Sequence, residues 1–288
     1  MTTCYFGAKV AVTIFLFVLL MIGLWMANAQ DEKVSNKPFL WINIAGFGFF
    51  VLFLLNAPSL TASPLVESVR YVIDGDTVIL TSGERIRLIG INAPEISHNG
   101  LKGQVGGIEA KKHLKHLLLN QTVNVVYGVE RNDHFGRSLA YLIRTDGLNV
   151  NIEMVKKGYV TVSLHPPNLR YADKLELAQS DAELHRQGIW SMPTYHAKPV
   201  SPAYRTNVNA WGRYTAKIVR ITRMKQGVKL WLMKDIYIWV YQKSLANFPP
   251  IDSYLGKTVE VRGWVRKRGL FWSINALHRS QIVLKRSH

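Results

Sequence analysis

Acidic residues and arginines stand at short intervals in the middle third of the chain. They are Asp74 and Asp76, which flank a glycine, Arg87, Glu95 and Arg137. Taken singly, each has an ordinary structural explanation, because an Asp-Gly pair is usually a turn and a strand arginine usually faces solvent. Taken together, carboxylates and guanidinium groups suit chemistry on phosphate esters. Such chemistry needs negative charge neutralised, a water held in line and the phosphate fixed.

Short strand-like runs separated by turn residues carry these groups. Period-two alternation predicts five strands, at residues 66–73, 78–80, 85–91, 122–127 and 138–144. Apolar residues at helical spacing predict helices at residues 108–119, 150–157 and 171–186. The pattern therefore predicts a mainly β, α+β domain at residues 65–195, an OB-fold-like five-stranded barrel with about three helices packed on it.

The order of the motifs resembles the staphylococcal nuclease (thermonuclease) family. The likeness covers about 130 residues, roughly 65–192. Its blocks follow one another as Asp-Gly-Asp-Thr at 74–77, Arg-Ile-Arg-Leu-Ile-Gly-Ile-Asn-Ala-Pro-Glu at 85–95, Asp-His-Phe-Gly-Arg at 133–137, residues 149–158, and Gly-Ile-Trp at 188–190. The resemblance implies hydrolysis of phosphodiester bonds in DNA or RNA that leaves a 3′-phosphate.

The resemblance also implies a calcium site. Asp76 would be a direct ligand, the backbone carbonyl of Ala93 another, and Asp74 would bind through a water. Oxygen ligands suit this hard cation. Asn92 stands where the family has a second metal carboxylate, so the site loses one negative charge. We therefore expect weaker Ca²⁺ binding than is usual for the family, or use of another divalent ion.

The remaining groups of the resemblance act on the phosphate and the water. Arg87 and Arg137 would clamp the phosphate, because planar guanidinium groups stay charged and can donate two hydrogen bonds to it. Glu95 would position or deprotonate the attacking water.

Two further departures concern the substrate. His134-Phe135 replaces the family's usual Lys-Tyr, and Leu164 falls where a base-contacting tyrosine is expected. Two hypotheses therefore stay open. One is a metal-dependent nuclease, and the other is a catalytically weak or inactive nuclease-like protein that tethers nucleic acid.

The last third of the chain is strongly basic. Residues 201–288 hold 17 Lys and Arg against three Asp and Glu, and five of the eight tryptophans. Strand patterns at 213–222, 228–233, 236–241, 257–265 and 270–277 predict a second small β-barrel at residues 203–288. Residues 256–265 resemble the fourth strand of OB-fold nucleic-acid binders. Outward aromatic rings beside cations could stack unpaired bases, and the candidates are Arg262, Trp264, Arg266, Lys267 and Arg268. An anionic lipid surface is the alternative partner.

Two uncharged apolar runs, residues 10–27 and 38–55, precede the domains. Each is long enough to cross a bilayer as a helix. We predict a membrane anchor at residues 1–58, a transmembrane helical hairpin that makes the lipid bilayer a partner and a bacterial inner membrane the expected location. The alternative for the first run is a signal peptide cleaved near Ala27-Asn28-Ala29. The charges that flank the two runs do not decide which side the domains face.

Composition excludes several classes of protein. The 288 residues are 48% hydrophobic, which excludes a disordered chain. A single cysteine, Cys4, excludes an intramolecular disulfide framework and a zinc site built from cysteines. A formal net charge of +17 favours a polyanionic partner.

Overall fold

The structure, a computed structural model, describes residues 65–97, 103–119, 121–201 and 210–285. Every described residue belongs to one compact unit, Ser63–His288. The apolar runs predicted to span a membrane lie outside the described residues. Within the described ranges, no helix combines the length and the apolar character that crossing a bilayer requires.

The first half of this unit is a closed five-stranded barrel with hydrogen-bonding order β1-β2-β3-β6-β5. Its strands are β1 (Leu65–Val72), β2 (Thr77–Leu80), β3 (Arg85–Leu88), β5 (Thr122–Asn132) and β6 (Ser138–Arg144). All neighbours are antiparallel except β3 and β6. Alternation along β3 buries Ile86 and Leu88 completely and leaves Arg87 on the opposite face. The prediction of a mainly β domain is therefore confirmed.

A short antiparallel ribbon, β4 (Gly90–Asn92) with β7 (Thr161–Ser163), stands beside the barrel. The sequence pattern predicted one strand over 85–91, and this is wrong because the chain turns at Ile89, between the end of β3 and Gly90 at the start of β4. Gly90 has φ +80°, and a Cβ there would lie 2.5 Å from the Leu175 side chain. The turn at this glycine leads into the strand that carries Asn92.

Three helices pack against the barrel, α1 (Gly107–Leu118), α2 (Val150–Lys156) and α3 (Ala172–Leu184). Residues spaced three and four apart on α1, including Ala110 and Leu114, are fully buried. The Asn149 side chain caps α2 by accepting a hydrogen bond from the Ile152 amide. The helices lie within one residue or two of their predicted positions.

The second half is an eight-stranded sheet with order β10-β11-β12-β14-β13-β9-β8, to which β15 adds by pairing with β13. The strands are β8 (Lys198–Pro199), β9 (Trp211–Lys217), β10 (Arg220–Met224), β11 (Gly227–Trp231), β12 (Ile236–Tyr241), β13 (Thr258–Arg268), β14 (Phe271–Ala276) and β15 (Ile282–Leu284). Short 3₁₀ turns complete the unit at Gly188–Ser191, Pro193–Tyr195, Gln242–Asn247, Ile251–Tyr254 and Arg279–Gln281.

The strand predicted at 213–222 is interrupted at Ile218 and Val219. The Ile218 amide donates to the Lys257 carbonyl just before β13, and the Val219 amide donates to Trp231 at the end of β11. The bend at Ile218 and Val219 thus connects β9 and β10, which lie far apart in the hydrogen-bonding order of the sheet. If β9 and β10 are counted as one bent strand, the strand order equals that of the first barrel, with a parallel pair β12–β14 in the place of β3–β6.

A network of buried charges joins the two halves. Glu183 on α3 forms ion pairs with Arg213 of β9 at 2.7 Å and with Arg262 of β13 at 2.9 Å. Both arginines also contact Glu260, which is fully buried, at 2.7 Å. Burial alone would raise the pKa of the Glu260 carboxyl, but Arg262, Arg213 and a hydrogen bond from Lys285 together lower this pKa to about 2. The network fixes one half against the other.

Candidate active site

The turn between β1 and β2 holds one carboxylate deep in the protein. The Asp76 amide donates to Asp74 Oδ1 at 2.9 Å, and the Ala93 amide donates to Asp76 Oδ2 at 2.6 Å. Gly75 makes this packing possible, because a Cβ there would lie 2.6 Å from the Cβ atoms of both Ala93 and Ala110. The turn is therefore wedged between α1 and the residues that follow β4.

Arg87 brings three of the predicted site residues together. Its Nη1 donates to the carbonyls of Leu88 and Ile91, both at 2.9 Å. Its Nη2 lies 3.0 Å from Asp76 Oδ2 and 3.2 Å from Asn92 Oδ1. The guanidinium is thus held by four oxygens from three segments of the chain.

The Asp76 carboxylate is incompletely compensated. Burial raises its pKa from the ordinary value of 3.8 to about 6; the charge of Arg87 opposes this rise, while the neighbouring charge of Asp74 adds to it. A cation bound beside Asp76 would stabilise the charged form of this buried carboxylate.

The oxygen donors near Asp76 fit a hard divalent cation. They are the carboxylates of Asp74 and Asp76, the amide oxygen of Asn92 and the carbonyl of Ala93, which accepts from Asn92 Nδ2 at 3.3 Å. The described residues contain no group of three or more His, Cys, Asp and Glu that could hold a metal. Only two carboxylates are present in this set, so its charge is low for a calcium site.

Glu95 lies at the surface, two residues after Ala93. Its carboxylate makes no hydrogen bond or ion pair to any described residue, but its backbone is fixed on both sides by Gln104. The Gln104 amide donates to the Glu95 carbonyl at 2.7 Å, and the Glu95 amide donates to Gln104 Oε1 at 3.1 Å. Gln104 was not predicted from the sequence, because no motif identifies a glutamine that forms hydrogen bonds with the backbone of a residue nine positions away.

Arg137 is positioned by a turn between β5 and β6. Asp133 accepts from the Arg137 amide at 3.0 Å and pairs with Arg137 Nε at 2.7 Å. Burial alone would raise the pKa of the Asp133 carboxyl. The hydrogen bonds from Arg137 and Phe135 and the charge of Arg137 outweigh this effect, so the pKa is lowered overall. Within the described ranges, the two terminal nitrogens of Arg137 have no hydrogen-bond partner.

One groove of about 780 Å³ connects the phosphate-binding candidates of both halves. Arg87, Asn92 and Arg137 line it on the side of the first barrel. Asp74, Asp76 and Glu95 are outside this lining. Arg87 thus stands between the buried carboxylate of Asp76 and the open groove.

The residues predicted to bind nucleic acid on β13 separate into three groups. Trp264 and Arg266 face the groove. Arg262 also lines it, but its side chain is only 13% exposed and its guanidinium is bound by Glu183 and Glu260, which assigns it to the interface between the halves. Lys267 lies on the other face of the strand, 6.0 Å from the Trp272 ring, and Arg268 is exposed next to the hairpin turn, so neither lines the groove.

His165 is a groove residue that sequence reasoning did not select. Its Nε2 lies 3.1 Å from Ser163 Oγ, and desolvation together with the charge of Arg87 lowers its pKa. The preceding residue, Leu164, is 1% exposed and packs in the core. Nothing in the pattern of this segment distinguishes a groove histidine from an ordinary loop histidine.

Comparison with known proteins identifies the family of this chain. A family model described as staphylococcal nuclease homologue matches residues 85–192. A thermonuclease of Staphylococcus intermedius is 37% identical over 125 residues, which cover 42% of this chain and 74% of that protein. An uncharacterized endonuclease of Escherichia coli O157:H7 is 34% identical over 155 residues, 53% of this chain and 91% of that protein. Endonuclease YhcR of Bacillus subtilis strain 168 is 33% identical over 132 residues, 42% of this chain and 11% of that protein. This chain therefore belongs to the staphylococcal nuclease family.

Proposed function

We propose that this nuclease hydrolyses phosphodiester bonds of DNA or RNA in the groove that Arg87 and Arg137 both line, with the help of a divalent cation. The observation that carries the proposal is the position of Arg87. Its Nη2 contacts both Asp76 and Asn92, within about 3 Å of each, while the same side chain lines a groove shared with Arg137.

The reaction needs a water as nucleophile and a held phosphate. Arg87 and Arg137 bind the non-bridging oxygens and offset the charge that develops on them. Glu95 accepts a proton as the water oxygen bonds to phosphorus; the bond from phosphorus to the leaving oxygen breaks, and that oxygen keeps the electron pair and takes up a proton from solvent water. By its family resemblance, the leaving oxygen is the 5′ one, which leaves a 3′-phosphate.

The cation of this proposal is Ca²⁺, held by Asp76, Asn92 and the Ala93 carbonyl, with Asp74 acting through a water. When bound, it would neutralise part of the negative charge of the phosphate. The raised pKa of Asp76 and the oxygen donors around it support the site. Because Asn92 stands in place of a carboxylate, we expect Ca²⁺ to bind more weakly than is usual for the family, or another divalent ion to be used.

The decisive experiment is cleavage of a labelled single-stranded oligonucleotide by the full chain, with Ca²⁺ and with EDTA. We expect cleavage only with the metal, and a loss of about 100-fold or more in Arg87→Ala and in Glu95→Ala. Arg85→Ala is the matched control, since Arg85 is exposed on the same strand two residues away. If Arg87→Ala and Arg85→Ala cleave equally fast, the proposal fails. Salt-sensitive binding without turnover under any divalent ion would instead identify a nucleic-acid tether.

We also propose that the C-terminal half is an OB-fold-like module that holds the substrate. Its support is the strand order it shares with the first barrel, the excess of 17 basic over three acidic residues in 201–288, and Trp264 and Arg266 in the groove. An anionic lipid surface remains the rival partner for this charge.

The apolar runs at residues 10–27 and 38–55 support a further proposal, that the chain is anchored in a membrane by two helices. A bacterial inner membrane is the location we propose. The full chain should then stay in the membrane pellet after alkaline carbonate washing and enter solution with detergent. Release by carbonate alone would contradict the anchor.

A further inference from the structure

The two walls of the groove differ in chemistry. The wall from the first barrel offers Arg87, Arg137 and His165 among mostly polar neighbours. Every tryptophan and tyrosine among the described lining residues comes from the other wall: Trp211, Tyr241 and Trp264. The aromatic surface of the groove therefore comes from the second half of the chain, while both halves contribute cations.

The aromatic wall is built on regular strands. Trp211 of β9 and Trp264 of β13 are directly opposite in the antiparallel register, so both rings rise from the same face of the sheet. Tyr241 ends β12, and its hydroxyl accepts a hydrogen bond from Asn275 Nδ2 at 3.2 Å. All three residues are half-buried, which leaves part of each side chain accessible.

The first barrel does not supply such rings to the groove. In the segment after β4's partner strand, Leu164 points into the core with 1% of its surface exposed, and His165 takes the groove position. The long strand β5 and the turn after it contribute Glu130, Asn132 and His134. Base stacking at this groove therefore depends on the second half of the chain.

The distance between the walls is fixed by the interface. Arg213 and Arg262 lie on the same strands as Trp211 and Trp264, two residues away in each case, and both bind Glu183 of the first half. Side chains two residues apart share one face of a strand. The charge network thus holds the tryptophans at a set position opposite Arg87 and Arg137.

We propose that the substrate is a single strand whose phosphates face Arg87 and Arg137 while its bases stack on Trp264 and Tyr241. This inference rests on the proposed function and narrows it to unpaired nucleic acid. In a duplex each base is already stacked and paired, so its face is closed to a protein ring. A volume of about 780 Å³ is in the range of small-ligand sites, which suits a short stretch of one strand.

Basic residues extend the track along the aromatic wall. Lys243 follows Tyr241 by two residues, and Arg266 follows Trp264 by two residues. Both line the groove and are exposed. Rings that take bases, with cations beside them for phosphates, are the usual design of single-strand binding surfaces.

The test is binding without cleavage. The full chain is titrated in EDTA against a fluorescently labelled oligothymidylate of about 12 nucleotides, and against the same length as a duplex, by fluorescence anisotropy. We expect the single strand to bind at least about tenfold more tightly than the duplex. Trp264→Ala and Tyr241→Ala should each weaken single-strand binding by about tenfold and leave duplex binding unchanged.

Phe271→Ala is the matched control, because Phe271 is an aromatic residue of the same sheet, 36% exposed, that does not line the groove. It should bind like the wild type. Trp264→Phe should retain most of the affinity, and if Trp264→Ala does not fold, Tyr241→Ala and Trp264→Phe carry the comparison.

Several results would overturn the inference. These are equal affinity for duplex and single strand, unchanged binding in Tyr241→Ala with unchanged binding in Trp264→Ala, or displacement of the oligonucleotide by anionic vesicles from the wild type and both variants alike. The proposed function is judged separately, by cleavage with Ca²⁺. A chain that cleaves but shows none of these binding differences refutes only the inference, whereas a chain that binds as expected but never cleaves refutes only the nuclease proposal.

Discussion

Replacing Asn92 by aspartate, Asn92→Asp, should tighten the binding of Ca²⁺. Asn92 Oδ1 and Asp76 Oδ2 each contact Arg87 Nη2, at 3.2 and 3.0 Å, so the two oxygens are no more than about 6 Å apart. Two carboxylates at that separation repel each other by about 3 kcal/mol at an effective dielectric constant of about 20. A cation bound between them removes this repulsion, and Arg87 offsets part of it beforehand. We therefore expect a gain of about 1.4 to 3 kcal/mol, or about 10- to 100-fold in affinity.

The assay is a calcium titration of the full chain by calorimetry, with the calcium dependence of oligonucleotide cleavage as a second readout. Asn92→Ala should weaken binding, because it removes an oxygen donor. Asn149→Asp is the control for added charge, since Asn149 caps α2 and aspartate caps equally well. Equal calcium affinity in wild type, Asn92→Asp and Asn92→Ala would show that this side chain is no ligand, and the reasoning about the metal site would be refuted.

Three more predictions follow from single contacts. Gly75→Ala should lower stability by about 1–3 kcal/mol and weaken calcium binding, because its Cβ would lie 2.6 Å from two other Cβ atoms; thermal unfolding with and without Ca²⁺ measures both effects. Glu260 has a pKa lowered to about 2, so the stability it adds is complete above its ordinary value of 4.5 and is lost as pH falls towards 2. Glu260→Gln should cost about 3–5 kcal/mol at neutral pH and flatten the dependence of the unfolding temperature on pH below about 4.5, and an unchanged slope would contradict the pairing. Gln104→Ala should lower kcat several-fold with unchanged calcium affinity, because it removes the Oε1 atom that accepts from the Glu95 amide; a parallel loss of calcium affinity would mean that the effect is structural.

The strands of the first barrel could be predicted because their alternation is local. In β3, Ile86 and Leu88 face the core and Arg85 and Arg87 face outward, as period two requires. The break at Gly90 could not be predicted, because the glycine matters through its contact with Leu175, which lies 85 residues further along the chain. A pattern in one segment carries no information on such a contact.

The candidate site shows the same division. The motif order placed Asp76, Arg87 and Asn92 in one hypothesis, and the structure brings these three into contact, although their roles stay predictions. The cluster of cations on β13 could not be sorted from sequence. Arg262 meets Glu183, 79 residues away in the chain, while Trp264 faces the groove, and only the packing of α3 on the sheet distinguishes these two neighbours.

The charge network has a consequence for how the chain can be divided. Around Glu260, the C-terminal half gathers Arg213, Arg262 and Lys285, three cations on one carboxylate, and Glu183 of the other half supplies the missing anion. If the C-terminal half were separated from the first half, it would keep an unbalanced cationic surface. Water or dissolved anions would then have to solvate these charges. The nuclease half would lose the partners of three acidic residues on α3, because Arg279 pairs with Asp173 and Glu176 as Arg213 and Arg262 pair with Glu183. Division of the chain between the barrels therefore leaves unpaired anions on one half and unpaired cations on the other, so we expect the two barrels to be inherited as one unit.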